Sequence, residues 1–223
     1  MNRRNVILSV LAVLGVGGWA LSSRMSPNST PVNPLANAAN AQTADVDTSA
    51  IQDMMIGNPD APVTVTEYAS FTCPHCAAFH AGPFKQLKAD YIDTGKINFV
   101  YREVYFDRFG LWASMVARCG GPDKYFGIAD LIYKGQPEWT RAGEPAAIAG
   151  ELGKIGRLAG IDAEALDACL KDAGTAETLV AWEKQNREAD DVTSTPSFLI
   201  NGTKYSNMSY SDMKDLIDAA IDG

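Results

Sequence analysis

A chain of 223 residues is enough for one sizeable domain, or for one domain carrying an insertion. Hydrophobic residues at 46% and charged residues at 21% match ordinary globular usage, which excludes wholesale disorder and a polytopic membrane protein. The net charge is −8; Arg3, Arg4 and Arg24 against Asp45 and Asp47 leave residues 1–50 at +1 and residues 51–223 at −9. An acidic body repels phosphate backbones and offers no counterion-release term, so nucleic acid is not expected as a partner.

Arg3 and Arg4 precede an uncharged apolar run from Val6 to Leu21, the layout of a secretory signal. As a helix the run reaches about 24 Å, short of a hydrocarbon core of about 30 Å. Residues 1–21 are therefore expected to be a cleaved signal peptide, with a retained membrane anchor as the alternative. Ala39-Asn40-Ala41 and Ala20-Leu21-Ser22 both offer small-x-small cleavage sites, and Asn2 to Ile7 resembles a twin-arginine export pattern. Either route leads out of the cytoplasm. Basic residues before the run and few after it place the body on the outer side. Residues 22–50 are rich in Ser, Thr, Asn, Pro and Ala and hold no aromatic residue. They read as a flexible linker, unable to bury enough surface to offset the entropy of ordering.

Val63 to Tyr68 alternates in β-branched residues and predicts a strand. A helix should follow from Pro74, with Cys73 as its cap and Pro74 at the first position, where a missing N–H costs nothing. Gly82-Pro83 should kink that helix, and Phe84, Leu87 and Tyr91 keep helical spacing beyond it. Ile97 to Val104 predicts a second, central strand. A strand–helix–strand start favours parallel pairing through a right-handed crossover.

From about Phe109 to Asp190 the pattern is helical. Leu111, Trp112, Met115, Val116 and Cys119 make one apolar face, and Leu166, Cys169 and Leu170 another, behind a cap at Asp162. Leu179 and Trp182 mark a further helix. Ser197 to Ile200 returns to strand, and Asn201-Gly202 supplies a hairpin turn into Thr203-Lys204-Tyr205. A last helix carries Met213, Leu216, Ile217, Ala220 and Ile221 on one face. The expected class is α/β, with residues 51–107 and 191–223 forming one domain and residues 108–190 a helical insertion domain.

The chemistry concentrates at Cys73-Pro74-His75-Cys76. A CxxC that opens a helix puts its first sulfur over unpaired backbone N–H groups, whose partial positive charge favours thiolate over thiol. His75 can donate a hydrogen bond or carry charge toward that sulfur. Cys73 is then the exposed nucleophile and leaving group, and Cys76 the shielded resolving thiol. A zinc site drawing on His80 is the competing use, but the remaining cysteines stand singly in the insertion; no metal is expected. A c-type haem needs histidine after the second cysteine, where Ala77 stands.

These residues carry a resemblance. Gly57 to Val63, Phe71-Thr72-Cys73-Pro74-His75-Cys76 and Val192 to Phe198 together resemble the DsbA family of the thioredoxin superfamily, along the chain from about Asp53 to the carboxyl end. The resemblance implies a thioredoxin-like fold, an unusually acidic Cys73, and no cofactor beyond the Cys73–Cys76 disulfide. It makes Pro196 a cis-proline facing the CxxC, with Thr195 offering backbone groups to an extended substrate peptide. It makes Glu67, six residues before Cys73, a buried acid that takes the Cys76 proton; a surface strand carboxylate is the alternative. His80 reads as a helix-surface or packing residue outside the site.

Cys119 and Cys169 fall on apolar faces of insertion helices, and some DsbA relatives resemble this arrangement. A structural disulfide is expected in an oxidising compartment, with two separately buried thiols as the alternative. The implied function is a periplasmic oxidase that donates Cys73–Cys76 to unfolded or partly folded exported proteins with free thiols. The implied partner is a DsbB-like, quinone-linked membrane reoxidant, and the implied state a monomer. A reductase or isomerase on the same fold remains open, because Thr195 also suits isomerase relatives; the polar residues 22–50 are unsuited to a dimerisation domain. A tethered chaperone-like module is the third reading.

Overall fold

The structure is a computed structural model that describes residues 46–223. The signal or anchor expected over residues 1–21, and most of the linker expected over 22–50, lie outside the described residues. Among the described residues, no helix is long and apolar enough to cross a membrane.

Five strands form one mixed sheet: β1 (Met54–Gly57), β2 (Val63–Ala69), β3 (Ile97–Glu103), β4 (Ser197–Ile200) and β5 (Thr203–Ser206), in the order β1-β3-β2-β4-β5. β2 and β3 run parallel, as the strand–helix–strand start predicts, and the other pairs are antiparallel. β2 is the central strand: Val63, Val65, Tyr68 and Ala69 are fully buried, and Glu67 lies between Tyr101 of β3 and Phe198 of β4. β1 goes unmarked in the sequence reading because only Met54 of its four residues is buried, leaving no alternation to detect. Gly57 ends it at φ +101°, where an added Cβ would stand 2.5 Å from the Ile97 carbonyl oxygen.

Helix α1 (Pro74–Ala81) stops at Gly82, and α2 (Pro83–Leu87) restarts at Pro83, so the expected kink is a full break. A π-helical turn, Lys88–Ile92, follows and buries Tyr91 and Ile92. Between β3 and β4 run α3 (Arg108–Cys119), α4 (Pro122–Lys134), α5 (Gln136–Trp139), α6 (Pro145–Leu158), α7 (Ala163–Lys171) and α8 (Ala173–Ala189). Asp162 caps α7 by accepting from the Glu164 and Ala165 N–H groups. The buried face of α3 is rotated from the expected one: Ala113, Ser114 and Ala117 join Met115 and Val116, while Leu111 and Trp112 are only half-buried. Small side chains let α3 approach α4, α6 and α7 closely, an attraction that apolar periodicity alone does not reveal.

Asn201 and Gly202 both take positive φ, 48° and 83°, which makes the β4–β5 connection the tight turn expected of this dipeptide. Helix α9 (Tyr210–Asp222) closes the chain over the sheet with Met213 and Ile217 buried. Across the molecule, Arg118 of α3 makes a bidentate pair with Glu103 at 2.7 and 2.6 Å, and Tyr125 of α4 donates to the same carboxylate at 2.7 Å. That cluster ties the end of β3 to the helices.

Candidate active site

β2 delivers the chain into Ser70-Phe71-Thr72, and Cys73 then caps α1 with extended backbone, φ −82° and ψ 121°. Pro74 occupies the first helical turn, and no side chain caps the helix. The N–H groups of the first turn therefore remain available to the Cys73 sulfur. The Cys76 thiol first, then Thr195, and last the backbone N–H groups of Cys76 and His75, hold the Cys73 thiol down to about 5, against the opposing effect of burial. Burial, followed by the neighbouring Cys73 and Glu67 charges, pushes the Cys76 thiol far up. Two cysteines three residues apart thus differ in kind: one ionises readily and the other stays protonated.

Two expectations about this motif change in detail. Cys73 is only 7% exposed, because the Thr195–Pro196 segment covers it; its Sγ lies 3.5 Å from the Thr195 carbonyl oxygen, to which the protonated thiol donates. The His75 side chain is exposed, and its backbone N–H rather than its imidazole is what stabilises the thiolate. Pro74 is exposed beside it. The Thr195–Pro196 bond is cis, and the Thr195 Oγ1 atom is buried with no hydrogen-bond partner of good geometry.

Beneath the motif, Glu67 is fully buried, so the surface-carboxylate alternative falls. Its Oε2 lies 2.9 Å from His80 Nε2, and its Oε1 has no partner. His80 is 4% exposed, so of the two readings given to it, helix surface or packing, the surface one falls and the packing one stands. The signal was its spacing: four residues after Cys76 on α1 is the same helix face, pointing at the sheet. The His80 ring stacks on Tyr133 of α4 at 4.4 Å, and the Tyr133 hydroxyl lies 2.6 Å from that of Tyr101. Burial raises both phenols well above their ordinary range, and charge on Glu67 and Cys76 adds to the effect.

Gln136 was also missed. It is buried, and its side-chain amide donates to the Phe71 and Cys73 carbonyls at 2.8 and 3.0 Å. A single glutamine before a proline carries no sequence pattern that marks this use.

Clefts flank the motif on two sides. One of about 290 Å³ is lined by Val104, Phe106, Arg187, Val192 and Thr193 to Thr195; the other, about 340 Å³, by Thr72, Pro74, Phe109, Gln136 and Trp139. Away from both, Cys119 at the end of α3 is disulfide-bonded to Cys169 of α7, with Cα atoms 6.0 Å apart.

Comparison with known proteins agrees with this geometry. The family model described as thioredoxin matches residues 49–219. A Rickettsia bellii relative named as a protein-disulfide oxidoreductase is 39% identical over 171 residues, covering 76% of this chain and 65% of the relative. The chain therefore spans just under two thirds of that relative's length. Disulfide bond formation protein D of Bacillus subtilis is 26% identical over 174 residues, covering 76% of this chain and 77% of the relative. The crystal structure of alpha-DsbA1 from Wolbachia pipientis superposes with a TM-score of 0.71 at 27% identity, covering 77% of this chain and 92% of that one. With its Cys-Pro-His-Cys helix start and its helices between β3 and β4, the chain belongs to the thioredoxin family, among its DsbA-like members.

Proposed function

We propose that the protein is a periplasmic thiol:disulfide oxidoreductase of DsbA type, donating the Cys73–Cys76 disulfide to exported proteins during oxidative folding. The observation that carries this reading is the asymmetry of the two thiols at the uncapped start of α1, with Cys73 held down to about 5 and Cys76 pushed up. A substrate thiolate attacks Cys73, and Cys76 leaves. The second substrate thiol then attacks the mixed disulfide, and Cys73 departs as a stabilised thiolate.

The same asymmetry supports the oxidising direction. A thiol depressed from about 9 to about 5 stabilises the reduced protein; the effect is complete above the ordinary thiol value and is lost as pH falls through 5. At neutral pH the advantage is about 3 kcal/mol, on the order of 60 mV, because each pKa unit is worth about 1.4 kcal/mol or about 30 mV for a two-electron couple. The disulfide is correspondingly oxidising.

In this reading residues 51–107 and 191–223 form the thioredoxin-like domain and 108–190 the helical insertion domain. Pro196 and Thr195 hold the substrate peptide against Cys73, and Glu67 serves Cys76. The Cys119–Cys169 disulfide supports an oxidising compartment, as does the basic-then-apolar pattern of Arg3 to Leu21. A DsbB-like membrane protein restores the disulfide, and the protein acts as a monomer. The test is to mix the oxidised protein with a reduced dithiol peptide and follow both by alkylation and mass. One disulfide should pass to the peptide per protein; C73A should abolish transfer, and transfer that survives C73A would rule the reading out.

A further inference from the structure

We propose that the cleft between the start of α1 and the insertion helices binds a lysine or arginine side chain of the substrate, beside the cysteine that joins to Cys73. This preference rests on the disulfide-exchange reading above and narrows its substrates to thiols that neighbour a basic residue.

The cleft has room for one long side chain, about 340 Å³, and its wall includes Pro74, the neighbour of Cys73. Gln136, also on the wall, joins cleft and motif: its amide nitrogen donates to the Phe71 and Cys73 carbonyls at 2.8 and 3.0 Å. With the nitrogen so engaged, the amide has one orientation, and Oε1 is fixed as its acceptor. Among the described residues Oε1 receives no hydrogen bond, yet the side-chain atoms sealed from solvent without a partner are Glu67 Oε1 and Thr195 Oγ1. Gln136 Oε1 is therefore an open acceptor, held rigidly.

The other polar groups of the wall fall into two sets. Side-chain donors are engaged within the protein. Trp139 Nε1 donates to the Ile132 carbonyl at 2.9 Å, the Thr140 hydroxyl to the Gln136 carbonyl at 2.5 Å, and Thr72 Oγ1 lies 3.2 Å from Ser70 Oγ. Acceptors are open. Asp107 caps α3 with Oδ1 alone, 2.7 and 2.9 Å from the Phe109 and Gly110 nitrogens, which leaves Oδ2 without a partner among the described residues. Among the described residues, no lysine or arginine lines the cleft. Arg108 lies instead over the Phe109 and Trp112 rings, 5.1 and 5.9 Å from their centroids.

A wall with open acceptors and engaged donors selects a ligand that donates. Lysine, arginine and tryptophan side chains donate and cannot accept, and the Asp107 carboxylate favours the two cations. The aliphatic stem lies along Pro74, Phe109 and Trp139, with the charged head between Gln136 and Asp107. The net charge of −9 over residues 51–223 draws basic segments toward the protein. The other cleft beside the motif holds Arg187 and no carboxylate, so a basic residue is accepted on one side of Cys73 and not on the other.

The test uses the full chain in its oxidised form and reduced dithiol peptides that differ at one position, placed in turn before and after the first cysteine. That position is lysine, norleucine or glutamate. Each transfer rate is divided by the same peptide's rate with oxidised glutathione, which removes differences in thiol acidity. Lysine should exceed norleucine about fivefold on one side of the cysteine only, the effect of a partly exposed, charge-assisted hydrogen bond. D107N keeps a capping side chain on α3 and should reduce the lysine-to-norleucine ratio to about twofold, leaving the Gln136 contact. Asp167 is exposed on α7, so D167N makes the same change of net charge away from the cleft and should leave the ratio at its wild-type value. Equal rates for lysine and norleucine at every position overturn the proposal. So does a preference that D107N and D167N lower alike, which marks general attraction to an acidic surface. The wild-type series decides alone if D107N does not fold. Absence of transfer to every peptide would instead remove the functional reading beneath it.

Discussion

Gln136 donates its side-chain amide to the carbonyl oxygen of Cys73 at 3.0 Å, across 63 residues of sequence. The same amide reaches the Phe71 carbonyl at 2.8 Å. A short helix of the insertion thus holds the backbone on which the reactive sulfur sits. Replacing Gln136 by Ala should strand two buried carbonyls and destabilise the protein by about 1–3 kcal/mol. A urea midpoint indistinguishable from wild type would show that the contact holds nothing.

The Cys73 thiol should titrate at about 5 in the reduced protein, read from thiolate absorbance. The Cys76 thiol is the largest contributor, so C76A should move the midpoint upward, toward the ordinary value near 9. The stability gap favouring the reduced form should grow as pH rises from 5 and level off near 9. Melting temperatures of both redox forms across that range would check the sign.

Sequence alone carried the reactive strand and helix start, because each depends on local chemistry: β-branched alternation in Val63 to Tyr68, and Pro74 after a capping Cys73. Asp162 and Asn201-Gly202 were legible for the same reason. What was hidden depends on tertiary contact. Met54–Gly57 is an edge strand with one buried residue, and α3 turns its alanines inward rather than Leu111 and Trp112. His80 is an ordinary helical residue until β2 places Glu67 against it. Gln136 gains its role only when α5 meets the loop before Cys73.

Glu103 is 1% exposed and neutralised by Arg118, with Tyr125 completing its hydrogen bonds. Arg118→Ala should leave an uncompensated buried carboxylate and cost about 3–5 kcal/mol, and Arg118→Met with Glu103→Gln together should cost less than Arg118→Ala. Denaturant midpoints of the set decide; equal losses would contradict the pairing.

Cys119 and Cys169 close a loop with a sequence separation of 50. Removing the bridge by double Ala substitution should lower stability by about 4 kcal/mol if restriction of the unfolded chain is the main effect. Urea unfolding of the double variant against wild type measures it, and an unchanged midpoint would rule out that origin.

The central claim is that the Cys73–Cys76 disulfide is a donor. Its reduction potential, equilibrated against a glutathione buffer series on the purified protein, tests this most directly. A DsbA-type oxidase should give a value near the oxidising end of the known range, about −120 mV. A value near about −270 mV, where thioredoxin lies, would contradict the assignment and make the protein a reductase.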